Sequence, residues 1–116
     1  MTTKRIVVGA HYGLKDWLAQ RVTALVLAAY TLILLVTLLV TPTLDYGSWA
    51  AIFGSGWMKV CTVLALISLS WHAWIGVRDI YMDYIKPTGV RLLLQVLTIL
   101  ALVGYACWAV IILWRV

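Results

Sequence analysis

The sequence predicts an all-α membrane protein with three transmembrane helices. Three observations carry that prediction. Hydrophobic residues fill 65% of the 116 positions, and the mean hydropathy is +1.02. A chain this short has too little interior to hide so much apolar surface from water, so its solvent is lipid. Second, no charged residue occurs between Arg21 and Asp45, between Lys59 and Arg78, or between Arg91 and Arg115. Each run reaches or approaches the roughly 20 residues that cross a bilayer as a helix. Third, the runs lack the alternation of a barrel strand and are about twice its length, which excludes a closed barrel.

The expected helices cover about residues 17–40, 57–82 and 89–114 of a single anchor domain, residues 1–116. Thr41-Pro42-Thr43 ends the first, because a proline disfavours helix at the residue before it. Asp45 to Gly56, with Gly47, Ser48 and Gly54, reads as a loop. Lys86-Pro87-Thr88-Gly89 is short enough to force the last two helices into an antiparallel hairpin. Trp17, Trp49, Trp57, Tyr81, Tyr84 and Trp114 fall near the expected interfaces, as an aromatic belt.

The net charge of +5 does not point to nucleic acid, because the basic residues flank apolar runs and act as topology signals. Lys4, Arg5, Lys15, Arg21, Arg78, Lys86 and Arg91 gather on one side, and only Lys59 and Arg115 lie near the other. The positive-inside rule then places the N-terminus and the second connection in the cytoplasm and the C-terminus outside. The start, MTTKRIVVGAHYGLKDW, does not read as a signal peptide. Its apolar stretch is too short and is broken by Lys15 and Asp16, so the mature chain is expected to start near Met1. Cys61 and Cys107 have no metal-type spacing and are expected to be buried free thiols, with a disulfide between them left open.

The stretch WHAWIGVRDIYMDYIKP, residues 71–87, holds the candidate chemistry. His72 lies roughly 15 Å from the end of its span at ~1.5 Å per residue, near mid-bilayer. An ionisable group there is costly and marks a functional site by default. Cys61, Ala65, Ser68, His72, Gly76, Asp79 and Asp83 recur at helical spacing as one stripe of small and polar residues, which suits close packing against protein. Two readings of His72 stand. One is a hydrogen bond across a helix interface. The other is haem ligation, with Ser68 and Gly76 leaving room beside the imidazole. Zinc fits less well, since no second ligand stands at i+3 or i+4.

A six-coordinate haem needs a second axial ligand. His11 precedes the first span, Met58 and Met82 lie at the ends of the second, and Met1 is terminal. The second ligand must therefore come from another chain. Arg21 either neutralises a carboxylate such as a haem propionate or snorkels to the headgroups. Tyr84 either belongs to the aromatic belt or donates a hydrogen bond to a quinone carbonyl, with Asp83 beside it as a proton route. Thr23, Tyr30, Thr31 and Thr37 can bond their own backbone. Gln95 and Gly104 read as packing contacts.

The elements HAWIG and DYIKP at their mutual spacing, with upstream GLKDWLAQRVTALVL and downstream RLLLQVL, resemble the small hydrophobic membrane-anchor subunit of bacterial succinate dehydrogenase, the second, cytochrome b anchor chain of respiratory complex II. The resemblance runs from about Gly13 to Trp114. It implies a heterotetramer in the bacterial inner membrane. A flavoprotein subunit with FAD oxidises succinate, an iron–sulfur subunit carries the electrons, and two three-helix anchors form one helical bundle around haem b and a ubiquinone site. It further implies that His72 is the haem axial ligand, binding the iron opposite a histidine of the sister anchor. Arg21 would lie near the propionates, Tyr84 would bond ubiquinone, and Asp83 would sit in the same pocket. Lys15 departs from the family pattern, which has a histidine before the aspartate, here Asp16. Two alternatives remain: the anchor of a related fumarate reductase, and a non-redox three-helix scaffold or transport protein.

Overall fold

The computed structural model describes residues 8–116, with side chains from Gly13 onward. Lys4 and Arg5 lie outside the described residues, as does the side chain of His11. Four helices follow one another: α1 (Val8–Leu39), α2 (Tyr46–Gly54), α3 (Gly56–Tyr84) and α4 (Thr88–Trp114). Three of them, over Gly13–Leu39, Gly56–Tyr84 and Thr88–Trp114, are long and apolar enough to cross a membrane. Among the described residues there is no strand.

α3 is the central helix, and it packs against α1 on one face and α4 on another. Paired contacts fix the directions. Asp16, Thr23 and Tyr30 of α1 meet Arg78, His72 and Thr62 of α3. One series rises as the other falls, so the two helices are antiparallel. Tyr81 meets Thr98 and Lys59 lies over Trp114, so α3 and α4 are antiparallel too. Very little is buried. Among the described residues only Met58, Ala65, Ile75 and Leu113 form an apolar core, with Thr23 and Ser68 as buried polar groups. Leucines, valines and tryptophans stand exposed along α1, α3 and α4. In water such a surface would aggregate; lipid and partner helices are what it fits.

The helix ends follow from local chemistry. α1 closes with Val40 N–H on the Val36 carbonyl and a tighter Thr41 N–H to Leu38 carbonyl bond, just before Pro42. Thr31 and Thr37 donate to the Leu27 and Ile33 carbonyls at 2.8 and 2.7 Å, the back-bonding expected of hydroxyls in lipid. At the other end of the slab, Lys86-Pro87 links α3 to α4 with no room for a longer excursion.

The connection after α1 differs from expectation. The stretch expected to be a loop contains the nine-residue helix α2. Its glycines were outweighed by a reciprocal cap: Ser48 N–H donates to Asp45 Oδ1 at 2.8 Å, and Asp45 N–H donates to Ser48 Oγ at 2.9 Å. Such a capping box satisfies two otherwise orphaned donors. Trp49 and Phe53, one turn apart with ring centroids 5.0 Å apart, pack α2 onto α3 and α4 in a cleft shared with Thr62, Leu66, Ala109 and Leu113. Ser55 then caps α3 by accepting from Met58 N–H at 3.2 Å.

This cap predicts a pH dependence. The Ser48 backbone N–H, and then its hydroxyl, stabilise the ionised Asp45 and hold its pKa below the usual carboxylate range. A depressed folded-state pKa adds stability that is complete above the unfolded value and disappears as pH falls through the folded one. Protection of the α2 amides, taken relative to the intrinsic exchange rate at each pH, should therefore fall on acidification below about pH 4. Asp45→Asn, which caps without titrating, should remove the pH step while keeping α2 protected. An unchanged step in that variant would contradict the assignment.

Candidate functional site

Both candidate centres lie on α3. His72 is half-exposed, and its Nδ1 lies 3.0 Å from Thr23 Oγ1 of α1. Thr23 is 5% exposed, and its Oγ1 is also 2.6 Å from the Ala19 carbonyl. Nε2 of His72 has no hydrogen-bond partner among the described residues. One turn further, Gly76 faces open space: a Cβ built there meets nothing within 4 Å.

Part of the small-residue stripe packs against protein within this chain. Ala65 and Ser68 are already buried within this chain, on the face where His72 meets α1. The stripe therefore lets α1 approach closely, and only part of it is left for a partner. Of the two thiols, Cys61 is half-buried and Cys107 exposed, and neither forms a disulfide.

Arg21 stands two residues before Thr23, which places it roughly 3 Å along α1 from the His72 contact at ~1.5 Å per residue. Its guanidinium carbon is 5.5 Å from the centre of the Trp17 ring, and it has no salt bridge among the described residues. Arg21, Trp17, Gln20, Ile75 and Asp79 line a cleft of about 400 Å³. Gln20 Oε1 is buried beside it with no hydrogen-bond partner.

Arg78, one of the flanking topology charges, forms an ion pair with Asp16 of α1 and lies 3.7 Å from Asp79. That pair closes the α1–α3 seam at the end where the helices leave the apolar zone. Lys15 is exposed and lines a second cleft, of about 540 Å³, with Asp16, Arg78 and Asp79. A long cation thus stands on the rim of the seam.

At the end of α3 the tyrosines divide. Tyr81 is engaged within the chain, its hydroxyl 2.9 Å from Thr98 Oγ1. Thr98 donates its own hydrogen to the Leu94 carbonyl at 2.8 Å, so Tyr81 is the donor. Tyr84 is 77% exposed and Asp83 is exposed too. Tyr84 stands roughly 18 Å along α3 from His72 at ~1.5 Å per residue. The chain thus brings His72, Thr23 and Arg21 to one level and holds Tyr84 and Asp83 apart at the helix end. Among the described residues no three His, Cys, Asp or Glu side chains cluster as metal ligands would.

Three long apolar helices, with most of their surface left uncovered, define a multi-pass membrane protein. The sequence places it more narrowly. It matches the family described as succinate dehydrogenase/fumarate reductase transmembrane subunit over residues 1–113, and it belongs to that family. One relative is the succinate dehydrogenase hydrophobic membrane anchor subunit of Coxiella burnetii (strain RSA 493 / Nine Mile phase I). It is 43% identical over 102 residues, which cover 88% of this chain and 89% of that one. The chain is a multi-pass membrane anchor subunit.

Proposed function

We propose that residues 1–116 form the second anchor domain of a succinate:ubiquinone oxidoreductase, co-ligating haem b with a sister anchor and forming part of the ubiquinone-reduction site. The observation that carries the reading is His72: a mid-membrane imidazole with Nδ1 held by Thr23 and Nε2 left unpaired. The donor set fits a shared haem. This chain offers one imidazole, open space at Gly76 and, at the same level, the cation Arg21 with no carboxylate partner among the described residues. His72 would hold the haem iron through its Nε2 lone pair, and Arg21 would bind a propionate through charge-assisted hydrogen bonds. Haem b, when bound, supplies a one-electron carrier between the helices.

Tyr84 would donate its hydroxyl hydrogen to a carbonyl oxygen of ubiquinone, polarising it where the ring gains electrons. Asp83, beside it and exposed, would take protons from the aqueous side. Each ubiquinone reduced takes up two electrons and two protons. The electrons come from succinate oxidised at the FAD of a flavoprotein subunit, through the clusters of an iron–sulfur subunit. The subunit name of the Coxiella relative supports those two partners. We place the N-terminus and the α3–α4 connection in the cytoplasm and the C-terminus in the periplasm, in the bacterial inner membrane. Protons for the quinone then come from the cytoplasm.

Purification in mild detergent, with subunit identification and a reduced-minus-oxidised spectrum, tests the reading. It should yield a flavoprotein, an iron–sulfur protein, a second anchor and a b-type haem band. A preparation without reduced b-type haem would favour the scaffold alternative. The family description also covers fumarate reductases; a native menaquinone and a matching haem potential would favour that direction.

A further inference from the structure

The hydrogen-bond geometry at Thr23 points to a positioning role: we infer that Thr23 locks His72 in the Nδ1–H tautomer, so that Nε2 is the nitrogen presented to an iron. A threonine hydroxyl has one hydrogen to donate. Its Oγ1 lies 2.6 Å from the Ala19 carbonyl oxygen and 3.3 Å from that of Gln20. Carbonyl oxygens only accept, and two oxygens 2.6 Å apart with no hydrogen between them repel. The hydrogen of Thr23 is therefore committed to its own helix. What remains on Oγ1 toward His72 is a lone pair, so the 3.0 Å contact is a bond donated by Nδ1–H.

The lock is well protected. Thr23 is 5% exposed, so water does not compete for its oxygen. α1 and α3 are held in register on either side by Asp16 with Arg78 and by Tyr30 with Thr62 at 2.8 Å. The ring thus has a fixed tautomer and a fixed plane before any ligand arrives. A bond donated from Nδ1 also fixes the orientation of Nε2 and strengthens it as a ligand, which favours oxidised iron.

The tautomer is tested without haem, and only its consequence rests on the ligand reading above. In the full chain reconstituted in bilayers without haem, with His11→Gln leaving His72 as the sole reporter, ¹⁵N solid-state NMR in mildly alkaline buffer reads the tautomer. Nδ1–H should dominate in the parent chain and in Thr23→Ser. It should give way to Nε2–H, the form an unconstrained neutral histidine favours, in Thr23→Val. A dominant Nε2–H form in the parent chain overturns the inference, whatever becomes of the variants.

In the assembled complex, Thr23→Val should lower haem affinity by about 10–100-fold, as outer-shell substitutions do. It should also move the midpoint potential of the remaining haem positive, and Thr23→Ser should restore both. Haem properties unchanged in Thr23→Val, with the signal lost in His72→Ala, would overturn the role of Thr23 alone. Haem retained normally in His72→Ala would overturn the ligand reading and leave the tautomer result standing.

Discussion

His72→Ala is expected to remove the low-spin b-type haem signal from the purified complex while its subunits still assemble. Among the described side chains His72 is the only imidazole, and its hydrogen bond to α1 is made through Nδ1. The methionines cannot replace it: Met58 is buried to 2% exposure at the start of α3, and Met82 lies near its far end. On the proposed reading, alanine would leave the haem iron without a ligand from this chain. The fold should survive, because α1 and α3 are also joined by Asp16 with Arg78 and by Tyr30 with Thr62. Losing the Thr23 bond should cost about 0.6 kcal/mol, the average for interhelical bonds in membranes. Haem content per flavin and the reduced-minus-oxidised spectrum check this. An unchanged spectrum would mean that the iron is held elsewhere.

The second large effect is expected at Tyr84. Tyr84→Phe should lower quinone reductase activity by about 10–100-fold, while succinate oxidation with an artificial acceptor stays intact. A hydrogen bond to a site gaining negative charge is worth about 1.5–3 kcal/mol, and about 1.4 kcal/mol is tenfold in rate. Tyr81 supplies the control. Its hydroxyl is already spent on Thr98, so Tyr81→Phe should cost about 0.6 kcal/mol of helix packing and leave quinone reduction unchanged. Equal loss of both activities in Tyr84→Phe would indicate faulty assembly. The opposite ranking of the two tyrosines would move the quinone contact one turn back along α3.

Much of this was legible in the chain. Charge-free runs of membrane length located three spans, and the count along the second placed His72 near its middle. The polar, aromatic end of its helix was visible as well. Three features were not. α2 was hidden because glycines at 47 and 54 signal a turn, whereas the Asp45–Ser48 cap and the Trp49–Phe53 stack decide for helix. The small-residue stripe signals close packing against protein, but a stripe does not say which helix covers it; here Ala65 and Ser68 are buried within the chain itself. Arg78 had only Asp79 as a visible neighbour, because the register that brings it to Asp16, far away in sequence, is a tertiary property. Thr23 left a faint trace: antiparallel helices of matched length place it opposite His72.

The central claim is that this chain supplies half of a haem site, and haem stoichiometry tests it most directly. The chain would be expressed in membranes alone and together with a sister anchor, and haem per chain measured after purification. The account predicts no bound haem for the chain alone and one haem per anchor pair on co-expression, lost in His72→Ala. A stable haem-loaded homodimer of this chain, or one haem per pair retained in His72→Ala, would contradict it.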